Sequence, residues 1–163
     1  MRELLPIPSI LAGVAGEYYV AAELSRRGYI ASISLKNTRG IDILATNQEG
    51  TRSVTIQVKT NQLSKAAWLI NQKGENYVAS THFYVFVMLA SILDRPCYYI
   101  VPSKDVAAYI KTNHAAWLSS PGRNGRKRQD SPIRKFQDLE DKYLERWELL
   151  GLGDWFAQYF DKE

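Results

Sequence analysis

Two short apolar runs joined by a tight turn restrict the fold of this chain strongly. Residues 41–46 are compact and apolar, and residues 53–60 are rich in β-branched side chains. Asn47-Gln48-Glu49-Gly50 between them has the composition of a hairpin turn. A short turn makes the strands on either side antiparallel neighbours, so the sequence predicts a β-hairpin around which the rest of the chain is arranged.

The two-residue period of a strand sorts the side chains of this hairpin onto two faces. Ile56 and Val58 share one face and must pack, so Gln57 and Lys59 project together on the other. On the preceding strand Asp42 points away from its apolar neighbours. Pairing across the turn can therefore bring Asp42 near Gln57, although the register is not fixed by the sequence.

These residue types fit a hydrolytic metal site on a phosphodiester. Mg²⁺ prefers hard oxygen ligands and binds through one or two carboxylates plus substrate phosphate. Asp42 offers the charge, Gln57 a neutral side-chain oxygen, and the strand carbonyl of Val58 a third ligand, while Lys59 is suited to orienting a water molecule. The same residues also fit an inert sheet, with Asp42 capping backbone amides and Lys59 exposed on its surface.

A first helix is predicted to begin between Ser9 and Gly13 and to end at Arg27, with Gly28 as the residue that follows the C-cap. Glu17 lies within the apolar arc of this helix, whereas Glu23 lies on the opposite, polar side. If the arc packs on the sheet, Glu17 points into the same pocket as Asp42. It then binds the metal through water or holds a second ion, or else it only stabilises a helix N-terminus.

The remaining segments complete one α/β domain over residues 1–163, built on a mixed sheet. Further strands are predicted at Tyr29–Leu35, Phe83–Leu89 and Cys97–Val101, and Ala67–Ile70 is either a strand or a helical turn. Helices are predicted over Lys104–Lys111 and, as a C-terminal tail, over Pro132–Leu150.

Composition favours a cytoplasmic protein. The 163 residues include one cysteine, so neither an internal disulfide nor a cysteine-rich zinc site is expected. No apolar run approaches the roughly 18 residues that span a bilayer. Pro6 and Pro8 interrupt the apolar start, which argues against a signal peptide.

Charge is distributed unevenly along the chain. Residues 121–135, a predicted basic loop, carry six Lys/Arg against one Asp/Glu, which gives +5, and residues 136–163, a predicted acidic helical tail, carry three against eight, which gives −5. A basic segment attracts polyanions such as nucleic acid. The alternative is a solvated loop that pairs with the acidic segment after it.

Three short motifs together resemble the PD-(D/E)XK nuclease superfamily, in its Holliday-junction-resolvase-like and restriction-endonuclease-like branches. They are Gly16-Glu17, Gly40-Ile41-Asp42-Ile43 and Ile56-Gln57-Val58-Lys59, and the resemblance covers roughly residues 13–60. Residues 83–111 are similar to small bacterial proteins of the same fold. The resemblance implies an αβββαβ core, Mg²⁺- or Mn²⁺-dependent cleavage of DNA, and a homodimer.

Two positions depart from the pattern of that superfamily. Gln57 stands where the second acid is expected, which makes this a Gln-x-Lys variant, and Ile41 stands where a proline precedes the first acid. A neutral ligand loses one unit of attraction for a cation. The alternative is therefore a domain that has kept the fold and binds nucleic acid without cutting it.

Cleavage of a nucleic-acid backbone requires basic side chains that contact phosphates. The expected nucleic-acid contacts are Lys36, Arg39, Trp68, Arg123, Arg126, Lys127 and Arg128, with Arg134 and Lys135 in the same basic cluster. A third hypothesis is a partner-binding protein whose tail, residues 136–163, docks on another subunit. Its evidence is the helical spacing of Leu139, Tyr143, Trp147 and Leu150.

Overall fold

Five strands form one mixed sheet in the computed structural model, which describes residues 6–35, 40–63, 65–90 and 92–153. Two helices and a separate two-stranded sheet surround it. The elements are α1 (Ser9–Arg26), β1 (Ile30–Ile33), β2 (Ile43–Thr46), β3 (Ser53–Asn61), β4 (Ala67–Asn71), β5 (His82–Met88), β6 (Cys97–Pro102), α2 (Ser103–Ser119) and β7 (Ile133–Gln137). Short 3₁₀ helices occur at Gln72–Glu75, Arg123–Gly125 and Trp147–Leu150.

The large sheet has the strand order β1-β2-β3-β5-β6. Strands β1, β2 and β3 are antiparallel neighbours, β3 and β5 are parallel, and β5 and β6 are antiparallel. A parallel pair needs a crossover connection, and here the crossover contains β4 and the 3₁₀ helix Gln72–Glu75. Strand β4 leaves the large sheet and pairs with β7 instead.

Each face of the large sheet carries its own apolar core. On the first face α1 contributes Val20 and Leu24, which pack with alternate residues of β2, β3, β5 and β6 and with the 3₁₀ helix Trp147–Leu150. On the second face β4, β7 and α2 form a covering layer, with Trp68, Phe136 and Ile110 among its buried residues. The continuous apolar run in β5 follows from this arrangement, because that strand is buried on both faces.

Most of the elements predicted from the sequence are confirmed, with small shifts at their ends. Helix α1 ends at Arg26 with Arg27 as its C-cap, and Gly28 follows with φ +79°, the left-handed conformation that glycine adopts without strain. The segment at Ala67 is a strand rather than a helical turn. Helix α2 continues to Ser119, well past the predicted end at Lys111.

The helical tail predicted over residues 132–150 is wrong. Residues 133–137 form β7, in which Arg134 and Phe136 are buried and their neighbours are more exposed, the period of a strand. After it, Asp141 and Glu145 have φ +54° and +55°, which no right-handed helix contains. The helical spacing of residues 139–150 therefore belongs to a series of turns that ends in a 3₁₀ helix.

Candidate active site

The hairpin of β2 and β3 brings Asp42 to Gln57. The register pairs Ile43 with Ile56, so Asp42 and Gln57 occupy the next facing positions. The Asp42 backbone N–H donates to the Ile56 carbonyl over 2.8 Å. The Asp42 side chain then accepts, at Oδ2, a hydrogen bond of 2.7 Å from the Val58 backbone N–H. The carboxylate is thus held against the strand that carries Gln57 and Lys59.

Gln57 and Lys59 lie on the face of the sheet away from α1. Ile56 and Val58 are buried in the first core, and the strand alternation turns Gln57 and Lys59 to the other side, where both are half-buried. Gln57 lies beside Gly40, since a Cβ on that glycine would be 3.7 Å from Gln57 Oε1. Gly40 itself has φ +64° at the entrance to β2, where its lack of a side chain permits both the turn and this approach.

The electrostatics of Asp42 are those of a carboxylate partly removed from water. Burial raises the pKa of the Asp42 carboxyl above its ordinary value, although the Val58 N–H and the Lys59 charge act in the opposite direction. Burial disfavours the anion because it removes hydration that Lys59 and one N–H only partly replace. A cation bound at this carboxylate would supply the missing stabilisation.

Glu17 lies on the turn of α1 that touches β3. The preceding residue, Gly16, is in such close contact with Thr60 that a Cβ there would lie 1.9 Å from Thr60 Oγ1. Thr60 follows Lys59, so Glu17 is at the same end of β3 as the candidate site, and it is half-buried. A direct role in the site stays a prediction.

Glu23, by contrast, is wrongly predicted to lie on the polar side of α1. It is 5% exposed and belongs to the buried stripe of the helix. Its carboxylate accepts hydrogen bonds from Arg27 over 2.6 Å and from Arg95 over 3.0 Å. Arg26 and Arg27 follow Glu23 by three and four residues, the spacing that allows an ion pair on a helix. This spacing is the sequence signal from which the pairing could have been predicted.

The donor set fits a hard divalent cation with one anionic ligand. Asp42 supplies a carboxylate, Gln57 an amide oxygen and β3 its backbone carbonyls, which are the ligand types that Mg²⁺ takes alongside retained water. Within the described ranges, however, no three His, Cys, Asp or Glu side chains come together. Any metal here depends on water and substrate phosphate for the rest of its coordination.

Trp68 does not have the substrate contact expected of it. It is 2% exposed, and its Nε1 donates to the Val87 carbonyl over 3.0 Å. Its ring packs against Phe86 and Tyr99 at centroid distances of 5.0 and 5.1 Å. Strand β4 crosses the second face of the sheet, so the alternate residues Trp68 and Ile70 become core.

The basic cluster divides into exposed and structural residues. Arg126 and Lys127 are exposed, whereas the Arg128 guanidinium lies 4.6 Å from the centre of the Trp117 ring and donates to the Pro121 carbonyl. Arg134 belongs to the basic cluster in sequence, but it is 5% exposed and ion-paired with Glu75 and Asp130, so the expectation that it contacts phosphate is wrong. Lys36, Arg39 and the side chain of Arg123 lie outside the described residues.

Sequence reasoning missed an aromatic and imidazole pair beside the site. His82 Nδ1 and Thr55 Oγ1 are 2.8 Å apart, and Thr55 is two residues before Gln57 on the same face of β3. The Tyr77 ring packs edge-on to His82 at 4.5 Å, and its Cε1 would lie 3.8 Å from a Cβ on Gly40. His82 lies at the start of β5, beside a strand that the sequence predicts. Its position next to Thr55 depends on the parallel pairing of β3 with β5, which joins distant segments and cannot be predicted from local sequence.

Comparison with known proteins identifies a shared fold. No protein-family model and no curated protein matches the chain. Among solved structures, the bacterial homing endonuclease I-Ssp6803I matches with a TM-score of 0.52 and 14% identity, covering 96% of this chain and 99% of that one. The two chains share a fold. The expected mixed α/β fold is thereby confirmed.

A second solved structure matches less closely. The Holliday junction resolvase Hjc from Archaeoglobus fulgidus has a TM-score of 0.45 and 13% identity, covering 93% of this chain and 97% of that one.

In the described part of the chain no helix is long and apolar enough to cross a bilayer.

Proposed function

We propose that this protein is a divalent-metal-dependent nuclease that hydrolyses phosphodiester bonds in DNA. The observation that carries the proposal is the meeting of Asp42 with Gln57 and Lys59 on one face of the β2–β3 hairpin, fixed by the bond from the Val58 N–H to Asp42. The fold shared with a homing endonuclease supports it.

In this proposal the hairpin holds Mg²⁺ or Mn²⁺. Asp42, Gln57 and the Val58 carbonyl would be its ligands. Glu17 lies at the same end of β3 but on the helix that covers the other face, so it would reach the metal through water or hold a second ion. The metal, when bound, lowers the pKa of a bound water and offsets charge on the phosphate. Lys59 orients the attacking water, which gives up a proton to solvent, and donates to a phosphate oxygen. Negative charge grows on that oxygen as the new P–O bond forms and the P–O bond to the leaving sugar oxygen, which takes a proton from solvent, breaks.

The basic loop supplies contacts that position the DNA backbone. Arg126 and Lys127 are exposed in the connection between α2 and β7. Both of those elements cover the face of the sheet onto which Gln57 and Lys59 project. A backbone bound at the loop therefore approaches the candidate site from the same side of the molecule, without any base-specific contact being required.

The decisive experiment is divalent-dependent cleavage of plasmid, branched and single-stranded DNA. Asp42→Asn keeps an acceptor for the Val58 N–H but removes the charge, and Lys59→Met keeps the length of the side chain. Each substitution should lower the cleavage rate by about 100-fold or more. Glu49→Gln and Lys73→Met, at exposed positions, are the matched controls and should cut at the wild-type rate. Absence of cleavage of all three substrates with both metals would refute the proposal.

A second function is favoured by the single carboxylate of the site, namely nucleic-acid binding without turnover. Here Gln57 is the residue that abolished catalysis. Gln57→Glu adds a second anionic ligand and should raise Mn²⁺ affinity about tenfold or more, measured by calorimetry. If the wild type binds DNA without cutting it, and this variant binds the metal more tightly and cuts the same DNA, the wild-type protein is a binding module. Cleavage by the wild type rules that function out.

A further inference from the structure

A basic cavity lies at the hairpin end of the sheet, well away from the candidate active site. Its volume is about 630 Å³, and a smaller cavity of about 260 Å³ adjoins it through shared lining residues. Arg52 lines both cavities and immediately precedes β3, whereas Lys59 is seven residues further along the chain. At about 3.3 Å per residue the two positions are roughly 20 Å apart.

Three guanidinium groups line the larger cavity, from Arg26, Arg27 and Arg52, against one carboxylate, that of Glu148. Glu148 accepts a hydrogen bond from Arg146, which partly neutralises it. Glu23 pairs with Arg26 and Arg27, and Glu145 also pairs with Arg27. Arg52 has no ion pair among the described residues, so the balance of charge on the wall is positive and favours an anion.

The arginines are held in place by contacts that leave donors unused. Glu23 accepts from Arg26 over 3.0 Å and from Arg27 over 2.6 Å, and the Arg27 guanidinium lies 4.6 Å from the centre of the Trp147 ring. Arg52 Nη1 donates to the Gly151 carbonyl over 3.2 Å. A guanidinium has five N–H donors. The hydrogen bonds within the described ranges use one N–H donor of the Arg26 guanidinium and one of the Arg52 guanidinium. Both side chains therefore keep donors that can bind a ligand.

The arginine donors and the volume of the cavity indicate which class of anion it would bind. Arginine forks match the oxygens of a phosphate in pairs. The volume lies within the range of small-molecule sites, about 300–1,000 Å³, and exceeds what a lone phosphate fills. Gly151 and Gly153 form part of the wall, and a Cβ at either would meet nothing within 4 Å, so a ligand can approach the backbone there.

We propose that this cavity binds a phosphate-bearing ligand, either a free nucleotide or a phosphate of a DNA strand. Arg26 and Arg52 are its principal donors, and Arg27 contributes while stacked on Trp147. The site goes beyond the proposed cleavage activity and does not depend on it, since none of Glu17, Asp42, Gln57, Val58 and Lys59 lines either cavity.

Calorimetric titration with inorganic pyrophosphate, without metal, tests this site. Arg52→Gln and Arg26→Gln should each weaken binding about tenfold, because each removes a charged donor pair. Lys111→Gln on α2 removes the same charge outside the cavity and should change affinity less than twofold, as should Asp42→Asn. Circular dichroism confirms that each variant is folded. Absence of binding by the wild type, an equal loss in Lys111→Gln, or succinate binding as tightly as pyrophosphate would overturn the proposal.

Competition identifies the source of the phosphate. If saturating pyrophosphate displaces a single-stranded oligonucleotide from the wild type but not from the double variant Arg26→Gln/Arg52→Gln, the ligand is a DNA backbone. If the oligonucleotide stays bound and a nucleotide monophosphate competes with pyrophosphate instead, the ligand is a free nucleotide. Because Asp42→Asn abolishes cleavage and leaves this site intact, failure of the nuclease proposal and failure of this one are distinguishable.

Discussion

Gly16 lies in tight contact with β3. A Cβ at this position would lie 1.9 Å from Thr60 Oγ1 and 3.1 Å from Thr60 Cβ, and the hydroxyl is itself buried without a hydrogen-bond partner in the described part of the chain. Close packing leaves no room for even one methyl group here. The absent side chain at Gly16 therefore sets the distance of the helix from the sheet, and with it the position of Glu17.

Gly16→Ala should destabilise the protein by about 1–3 kcal/mol, because the added methyl group forces the helix or Thr60 to move. Gly13→Ala is the matched control in the same helix. A Cβ at Gly13 meets nothing within 4 Å, so this substitution should stabilise by about 0.5–1 kcal/mol through helix propensity. Urea unfolding of both variants measures these differences. If Gly16→Ala is as stable as Gly13→Ala, the packing argument is wrong. Thr60→Ala added to Gly16→Ala should restore part of the lost stability.

His82 couples folding to pH. It is 1% exposed, with Nδ1 bonded to Thr55 and Nε2 without a partner among the described residues, and burial lowers its pKa from 6.5 to about 4. Between pH 6.5 and 4 the unfolded chain binds a proton at this residue that the folded chain does not. The histidine contribution to stability is thus complete above about pH 6.5 and is lost as the pH falls toward 4, by at most about 3 kcal/mol. His82→Phe should make the unfolding free energy fall less steeply between pH 6.5 and pH 4. An unchanged pH profile in this variant would contradict the coupling of His82 protonation to folding.

The residues of the hairpin illustrate what local sequence can predict. Strand alternation is a local property. The shared face of Gln57 and Lys59, and the orientation of Asp42 away from Ile41 and Ile43, therefore follow from a few consecutive residues. The burial of Trp68 does not, because it depends on β4 crossing the sheet to pair with β7. Nor does the burial of Glu23, since one of its partners, Arg95, is 72 residues away.

At the scale of elements, an ion-paired cluster fastens α1 to two distant segments. Glu23 binds Arg27 of the same helix end and Arg95 from the connection before β6, and Glu145, after β7, pairs with both arginines at 3.6 and 3.2 Å. Burial raises the pKa of Glu23, but the bonds and charges of Arg95 and Arg27 outweigh it, and the pKa is held below its ordinary value. The cluster therefore stabilises the fold while Glu23 is ionised.

Glu23→Gln should lower the unfolding free energy at pH 7 by about 2 kcal/mol, since it weakens several hydrogen bonds between charged groups. Arg95 is half exposed, so solvent screening keeps the loss below that of a fully buried pair. The difference from wild type should shrink as the pH falls below about 4.5, where Glu23 becomes protonated in the unfolded chain and then in the folded one. Glu49→Gln in the exposed hairpin turn is the control and should change stability by less than 0.5 kcal/mol. A constant loss from pH 7 to pH 3 would contradict the charge-based explanation.

The elements also differ in how well their type could be predicted. β-Branched runs and the hairpin turn predicted β2 and β3 because their patterns are local and strong. The sequence pattern predicts a helix after residue 132, which is wrong, because the apolar residues there recur every three or four positions by coincidence. Its conformation is decided by pairing with β4 and by the turns at Asp141 and Glu145.

At the scale of the whole molecule, the sheet separates two sides with different roles. Helix α1 closes the first side, whereas the candidate active site and the layer that carries the basic loop lie on the second. The charge segregation read from the sequence predicted that loop and its sign. The sequence could not predict which of its arginines are exposed, because Arg128 and Arg134 are engaged by Trp117 and Glu75 through tertiary contacts.

The proposed contact between the basic loop and a DNA backbone predicts how salt should affect binding. Each phosphate neutralised by a basic side chain contributes about 0.9 to the slope of log Kobs against log salt for duplex DNA. Arg126→Gln/Lys127→Gln should therefore weaken binding and reduce the magnitude of the slope by about 2, measured by fluorescence anisotropy from 50 to 200 mM salt. Lys104→Gln/Lys111→Gln changes the net charge equally from the exposed side of α2 and should reduce the slope by less than 1. Equal reductions in the two double variants would mean that the DNA responds to overall charge alone, and that the loop between α2 and β7 does not hold the backbone over the site.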